Sequence, residues 1–263
     1  MKKMMMFLAF ATTVWGAQAQ IKIGGKSINI HKAEKATKEV VKAVTLSDAE
    51  VMELCRKSVE WMDENNPIAD ESTEYGARLA RLTENLTEVN GIPLNFKVYH
   101  VIDINAFACA DGSIRVFSSL MDIMDDDELM AIIGHEIGHV AGTDVKDAIR
   151  NAYLTSAAIN AAGAASNTVS RLSNTELGEI TKSFMGAQFS QKQEYAADEY
   201  GFKTCIENGF SPYGMANALN KLVELSQGAK ASTVQQMFSS HPDSEKRAKR
   251  MKEKADKYVA QNP

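Results

Sequence analysis

His135-Glu136-Ile137-Gly138-His139 is the stretch of this sequence with the most chemistry in it. If it is helical, its two imidazoles, four positions apart, lie on one face about a turn from each other. So placed, they can hold one tetrahedral zinc ion. Glu136 adjoins the first of them and can reach water in the metal's open position, where a carboxylate serves as general base. Metal, water and base make a site for hydrolysis, and peptide bonds are the substrate this pattern points to. The chain has only five histidines, so chance is a poor account of the spacing.

A zinc site of this kind needs a third protein ligand. The residue six after His139 is Val145, which rules out a histidine there. Between Asp147 and Glu176 there is no acidic residue at all. The ligand therefore comes either from Asp144 or Asp147, within a turn or two, or from further along. Glu194 is the best candidate, against Glu176, Glu179 and Glu199 taken together. It sits four before Asp198 on a helical pattern, so both carboxylates share a face. Asp198 can then hydrogen-bond the free ring nitrogen of a zinc histidine and fix its tautomer.

These residues need rigid carriers. Asp125, with Glu128 three positions on, reads as a capping box that opens the helix bearing the two histidines. Gly134, Gly138 and Gly142 recur every four residues, and each costs a helix about 1 kcal/mol relative to alanine. Close approach of a second ligand-bearing helix would offset that cost, and Ala197 and Gly201 offer a matching strip of small residues. Upstream, Ser47 and Glu50 cap a helix running to about Asn65, before Pro67. A second helical pattern spans roughly Ser72 to Val89 and ends at Asn90-Gly91. Leu94 to Ile102 and Asn105 to Cys109 are rich in strand formers, and Asp111-Gly112 turns the chain into a returning strand from Ser113 to Ser118. From Ser119 the pattern is helical almost to the end. The expectation is an α+β fold: a helical majority beside a small antiparallel sheet, in one domain over residues 45–263.

Taken together, these motifs resemble the HtpX-type gluzincins, the zinc metallopeptidase family that also contains the CAAX prenyl proteases. The resemblance rests on Asp127-Glu128-Leu129, His135-Glu136-Ile137-Gly138-His139 and Glu194-Tyr195-Ala196-Ala197-Asp198. Asn105-Ala106-Phe107-Ala108 and Ser240-His241-Pro242, with Arg247 beyond, add to it, and it covers roughly Leu94 to Arg250. It implies a zincin-like domain with one zinc per chain on His135, His139 and Glu194, and Asp198 behind a ligand. It also implies that Asn105, Ala106, Phe107 and Ala108 bind extended substrate as an added strand. His241 then serves as a latch on the metal's open position or as a catalytic aid. Arg247 either stabilises the oxyanion or braces the site. Many relatives carry transmembrane helices around the catalytic core, and this chain reads without them. It therefore resembles the exported soluble branch, associated with quality control of envelope proteins. The turn Cys109-Ala110-Asp111-Gly112 departs from relatives richer in proline and glycine.

Composition narrows the setting. Apolar residues make up 44% of 263, enough for a sizeable core. A net charge of -5 excludes binding to nucleic acid through its phosphates. Lys2 and Lys3, an apolar run from Met4 to Trp15 and Ala17-Gln18-Ala19 read as a signal peptide over residues 1–19. Gln20 follows the cut, so no lipid-bearing cysteine is expected there. Residues 20–44 form a polar leader with six lysines, read as a solvated segment. Cys55, Cys109 and Cys205 form no metal motif; at most one bond can join them, and buried structural thiols are the expectation. The expected protein is thus a zinc endopeptidase of the periplasm or the outer-membrane surface, acting on unfolded or misassembled polypeptides. The mature chain is expected to lack an integral membrane span. The alternative is a zinc-stabilised chaperone or assembly factor with little turnover. A deformylase, which also uses such a helix, would need an upstream cysteine ligand in a context that Cys109 lacks.

Overall fold

Among the described residues four helices begin on a reciprocal cap, in which a side chain accepts from the third backbone N–H and that residue's side chain accepts from the cap in return. The pairs are Ser47–Glu50, Asp125–Glu128, Ser173–Glu176 and Ser190–Gln193. A computed structural model describes residues 20–23, 26–29, 46–160, 169, 172–228 and 232–262. The expected signal peptide lies outside the described residues, as does most of the leader. Its described part forms strands β1 (Gln20–Ile23) and β2 (Lys26–Asn29), paired antiparallel.

Helix α1 (Asp48–Asn65) ends just before Pro67, which cannot donate to a continuing helix. Strand β3 (Ile68–Ala69) and helix α2 (Glu74–Thr83) follow. The helical pattern was expected to reach Val89. Instead α2 stops at Thr83, and Asn90-Gly91 forms the turn of a hairpin between β4 (Glu88–Val89) and β5 (Ile92–Pro93). Both turn residues have positive φ, 51° and 75°, which is the conformation this dipeptide supplies most cheaply.

The main sheet holds β3, β6 (Asn95–Tyr99), β7 (Ala106–Ala108) and β8 (Ser113–Phe117), in the order β3-β6-β8-β7. The β7–β8 hairpin turns at Asp111-Gly112, as the dipeptide predicts. The sheet is nevertheless mixed, not purely antiparallel: β8 inserts between β6 and β7 and runs parallel to β6. That insertion leaves β7 on an edge.

The remaining elements among the described residues are helices: α3 (Ser118–Ile123), α4 (Asp126–Ala141), α5 (Asp144–Asn160), α6 (Asn174–Met185), α7 (Gln191–Glu207), α8 (Gly214–Ser226), α9 (Gln235–Ser240) and α10 (Ser244–Gln261). Of the Ala-rich stretch 152–165, residues up to Asn160 belong to α5 and the remainder lies outside the described residues. Among the described residues no helix is long and apolar enough to cross a membrane.

Helix α4 is the axis of the molecule. Every residue from Glu128 to Val140 is buried, the ionisable Glu128, His135, Glu136 and His139 among them. Helix α7 packs along it at backbone contact. A Cβ on Gly134 would lie 2.9 Å from the Gly201 Cα, and one on Gly138 would lie 2.9 Å from the Ala197 Cα. The small-residue strips therefore meet as their spacing suggested. Gly142 does not take part. A Cβ there would come 3.0 Å from the Asp144 carboxylate, so its absence makes room for that side chain.

Candidate metal centre

Three elements deliver the polar residues to one point inside the core. Helix α4 carries His135, Glu136 and His139, α7 carries Glu194 and Asp198, and the α9–α10 junction brings His241 and Arg247. All seven are buried; His241, the most accessible, is 6% exposed. Burying so many ionisable groups is costly unless they pair or coordinate.

Each α4 histidine is oriented from behind. His135 Nδ1 lies 3.0 Å from Asp198 Oδ1, and His139 Nδ1 lies 3.0 Å from Asp144 Oδ2. If each Nδ1–H donates to its carboxylate, both Nε2 lone pairs face inward, and these atoms are 3.1 Å apart. Glu194 Oε1 is 3.4 Å from His139 Nε2, and Glu194 Oε2 is 3.8 Å from His135 Nε2. His241 Nδ1 completes the group, 3.0 Å from Glu194 Oε1 and 3.3 Å from His135 Nε2. Around zinc, with bonds of about 2.1 Å, tetrahedral ligand atoms sit roughly 3.4 Å apart. The four side chains fit that figure, and among the described residues they are the group able to hold a metal ion.

Electrostatics agree. Lone pairs this close repel unless a proton or cation lies between them. Burial opposes charge on His139, but Asp144 and Glu194 outweigh it and hold the ring near 9, while burial pushes His135 down to about 4. Glu194 stays well below the usual carboxylate range: burial alone would raise it, and the charge of His241 with the hydrogen bonds from His139 and His241 prevail. Arg247 supports the carboxylates from the far side. Its Nε and Nη2 donate to Asp198 at 2.9 and 2.6 Å, and its Nη1 forms an ion pair with Glu194.

Glu136 differs from its neighbours. Its Oε1 is buried without a hydrogen-bond partner, and His241 Nε2 lies 3.8 Å away. Burial raises its pKa. It opens onto a cleft walled on one side by Asn105 to Ala108 and on the other by Phe184, Met185 and Phe189. Strand β7 is the free edge there. Bonds from Phe117 N to Asn105 O and from Cys109 N to Ser113 O put the β8-facing groups on alternate residues. The N–H and C=O of Ala106 and Ala108 therefore face the open side.

The other third-ligand candidates are occupied elsewhere. Glu176 caps α6, Glu199 pairs with Arg250 and Lys254, and Asp147 lies 3.6 Å from Arg150. Glu179 lies outside the four-residue group. Asp144 was weighed only as a ligand, and it instead touches the ring of His139. Thr143, with φ 63°, turns the chain tightly enough to bring it back. Gln193 donates to the other Asp144 oxygen at 2.8 Å. Phe189 stacks on His139, with ring centres 3.9 Å apart. Phe189 carries no signal in the sequence, and Gln193 reads there only as the partner of a Ser190 cap.

Comparison with known proteins accords with this geometry. Residues 75–255 match Peptidase family M48. The chain is 41% identical to Metalloprotease LoiP of Escherichia coli (strain K12) over 217 residues, 82% of this chain and 84% of that one. It is 35% identical to Metalloprotease YcaL of the same organism over 258 residues, 97% of this chain and 98% of that one. It is also 28% identical over 187 residues to the Beta-barrel assembly-enhancing protease of Yersinia pestis, covering 65% of this chain and 38% of that one. With its histidines, carboxylates and buried Glu136 gathered on α4 and α7, the chain belongs to Peptidase family M48 and is a metallopeptidase.

Proposed function

We propose that this metallopeptidase is a zinc endopeptidase, with one zinc per chain on His135, His139 and Glu194, that cuts unfolded or misassembled envelope polypeptides. The observation that carries the reading is the convergence of inward-facing ligand atoms beside an unpartnered, buried Glu136. Zinc, when bound there, polarises the scissile carbonyl and lowers the pKa of water towards about 7. Glu136 takes the attacking water's proton and passes it to the leaving amine, a task its raised pKa suits. Asp198 and Asp144 hold the histidine rings in the metal-binding tautomer. Arg247 acts as a positioning residue, since its partners are Asp198 and Glu194 rather than the cleft.

An extended substrate aligns along β7 by main-chain bonds to Ala106 and Ala108. Asn105 Oδ1, buried without a partner, is available to accept a substrate N–H. Only an unfolded segment can enter as a strand, which favours misassembled clients over folded ones. A role in the envelope draws on the apolar start of the sequence and on the name of the assembly-enhancing relative. The location proposed with it is the periplasm or the outer membrane.

His241 has a further part. Lying against Glu194 and His135, its imidazole would serve as a further ligand to a bound metal, which makes it a latch that substrate must displace. The same closure favours the second reading, a zinc-stabilised chaperone that holds clients with little turnover. Casein hydrolysis separates the two. The endopeptidase reading expects cleavage that a chelator abolishes and zinc restores; intact casein under all conditions supports the chaperone instead.

A further inference from the structure

Three of the four reciprocal caps among the described residues close with a glutamate: Glu50, Glu128 and Glu176. The fourth, at the start of α7, closes with Gln193. For the cap alone either side chain serves, since only an acceptor oxygen is used. Gln193 uses its Oε1 in that way, accepting from Ser190 N at 2.8 Å and from Ser190 Oγ at 2.7 Å. An amide carries a donor as well, and its Nε2 donates to Asp144 Oδ1 at 2.8 Å. The amide cannot be turned round without loss. A backbone N–H only donates and a carboxylate only accepts, so each end faces the one partner it suits. Asp144 passes the constraint on, because its other oxygen lies 3.0 Å from His139 Nδ1.

We propose that Gln193 is a positioning residue for the metal centre: through Asp144 it fixes the ring of His139, and it ties that ring to the helix that presents Glu194. The inference rests on the zinc-site reading above. Gln193 lies in the first turn of α7, one residue before Glu194, while Asp144 opens α5 and His139 belongs to α4. One side chain thus locks the starts of two helices around an imidazole carried by a third. A carboxylate engaged through both oxygens has its plane fixed. With one donor lost it can turn about its Cβ–Cγ bond, and the ring it orients is freed with it. Glutamate at position 193 would do more harm than a simple loss. Its second oxygen would face Asp144 where Nε2 now stands, anion against anion, at a half-buried place. The cap would accept glutamate, as the three other helices do; the metal centre would not.

Zinc affinity, read by competition with a chromogenic chelator, tests this in wild type, Gln193→Glu, Asp144→Ala and the double variant. Glutamate keeps the cap, so Gln193→Glu should fold as wild type does by circular dichroism. Its affinity should nevertheless fall about tenfold, the lower end of the effect of partners standing behind a ligand. In the Asp144→Ala background the same substitution should change affinity by less than about twofold, because the residue it acts through is gone. Equal affinity in wild type and Gln193→Glu would leave Gln193 a cap alone and overturn the inference. So would an equal drop in both backgrounds, since Gln193 would then act without Asp144. Gln193→Ala removes the amide without adding a charge. It should show the same dependence on Asp144, and it decides the matter should the glutamate variant fail to fold. Wild-type protein that takes up no zinc would instead overturn the metal reading on which the inference stands.

Discussion

Two buried arginines in this molecule each grip one aspartate with a fork of two nitrogens, and they serve opposite ends. At the sheet, Arg115 Nε and Nη2 donate to Asp63 at 2.8 and 3.0 Å, while Lys97 and Tyr99 donate to the same carboxylate at 2.7 and 2.6 Å. The remaining Arg115 nitrogen reaches Asn95 Oδ1 at 3.0 Å and the carbonyl of Ile114 at 3.0 Å. That cluster is closed on itself. Around Arg247 the account is left open. Its aspartate, Asp198, also binds His135, whose other nitrogen faces three further ligand atoms. Both regions bury charge, so burial alone does not mark a site. What marks it is unused bonding capacity aimed at a common point.

The comparison breaks most sharply at Glu136, which has no partner to lose. Glu136→Gln should keep zinc and the melting temperature while lowering kcat for peptide cleavage about a thousand-fold. Activity within about tenfold of wild type would remove the general base.

Asp63 should behave in the reverse manner. Asp63→Asn leaves Arg115 buried without its anion and should cost about 3 kcal/mol in denaturant unfolding, with zinc content unchanged. Burial opposes ionisation of Asp63, but Arg115, Lys97 and Tyr99 outweigh it and hold its pKa below the ordinary carboxylate value. Its contribution is therefore complete above about pH 4 and fades as pH falls through the lower folded value. The gap between wild type and variant should narrow in acid; a gap that widens there would contradict the assignment.

Asp198→Asn sharpens the contrast further, because it touches one ring and one guanidinium but no substrate. Zinc affinity, read by competition with a chromogenic chelator, should drop by about 10- to 100-fold. An unchanged affinity with lowered stability would move Asp198 into the structural class with Asp63. The smallest effect is expected at His241. His241→Ala should cleave short unstructured peptides about two- to fivefold faster, with zinc retained. Slower cleavage would replace the latch by a role in binding or catalysis.

The parts of this fold readable from sequence are those encoded within a few residues. The reciprocal caps at Ser47 and Asp125, the histidine spacing on α4 and the strips at Gly134, Gly138, Ala197 and Gly201 all obey three- or four-residue rules; the caps at Ser173 and Ser190 follow the same rule but were not read. The mixed sheet was not readable, since the insertion of β8 between β6 and β7 is a pairing between distant segments. Asn90-Gly91 carried a local signal with two meanings, helix end and hairpin turn, and only the β4–β5 pairing chose between them. Asp144 was visible as an acid near His139, but its direction depends on the positive φ of Thr143. Arg115 and Asp63 come from separate segments, and nothing in either segment announces the other.

The central claim is that Glu194, carried by α7, completes the metal site begun by the two histidines of α4. Elemental analysis of zinc in purified wild type, Glu194→Ala and Glu179→Ala tests it directly. The expected result is close to one zinc per chain in wild type and in Glu179→Ala, and a sharp drop in Glu194→Ala with the fold retained by circular dichroism. Full zinc in Glu194→Ala together with its loss from Glu179→Ala would contradict the account.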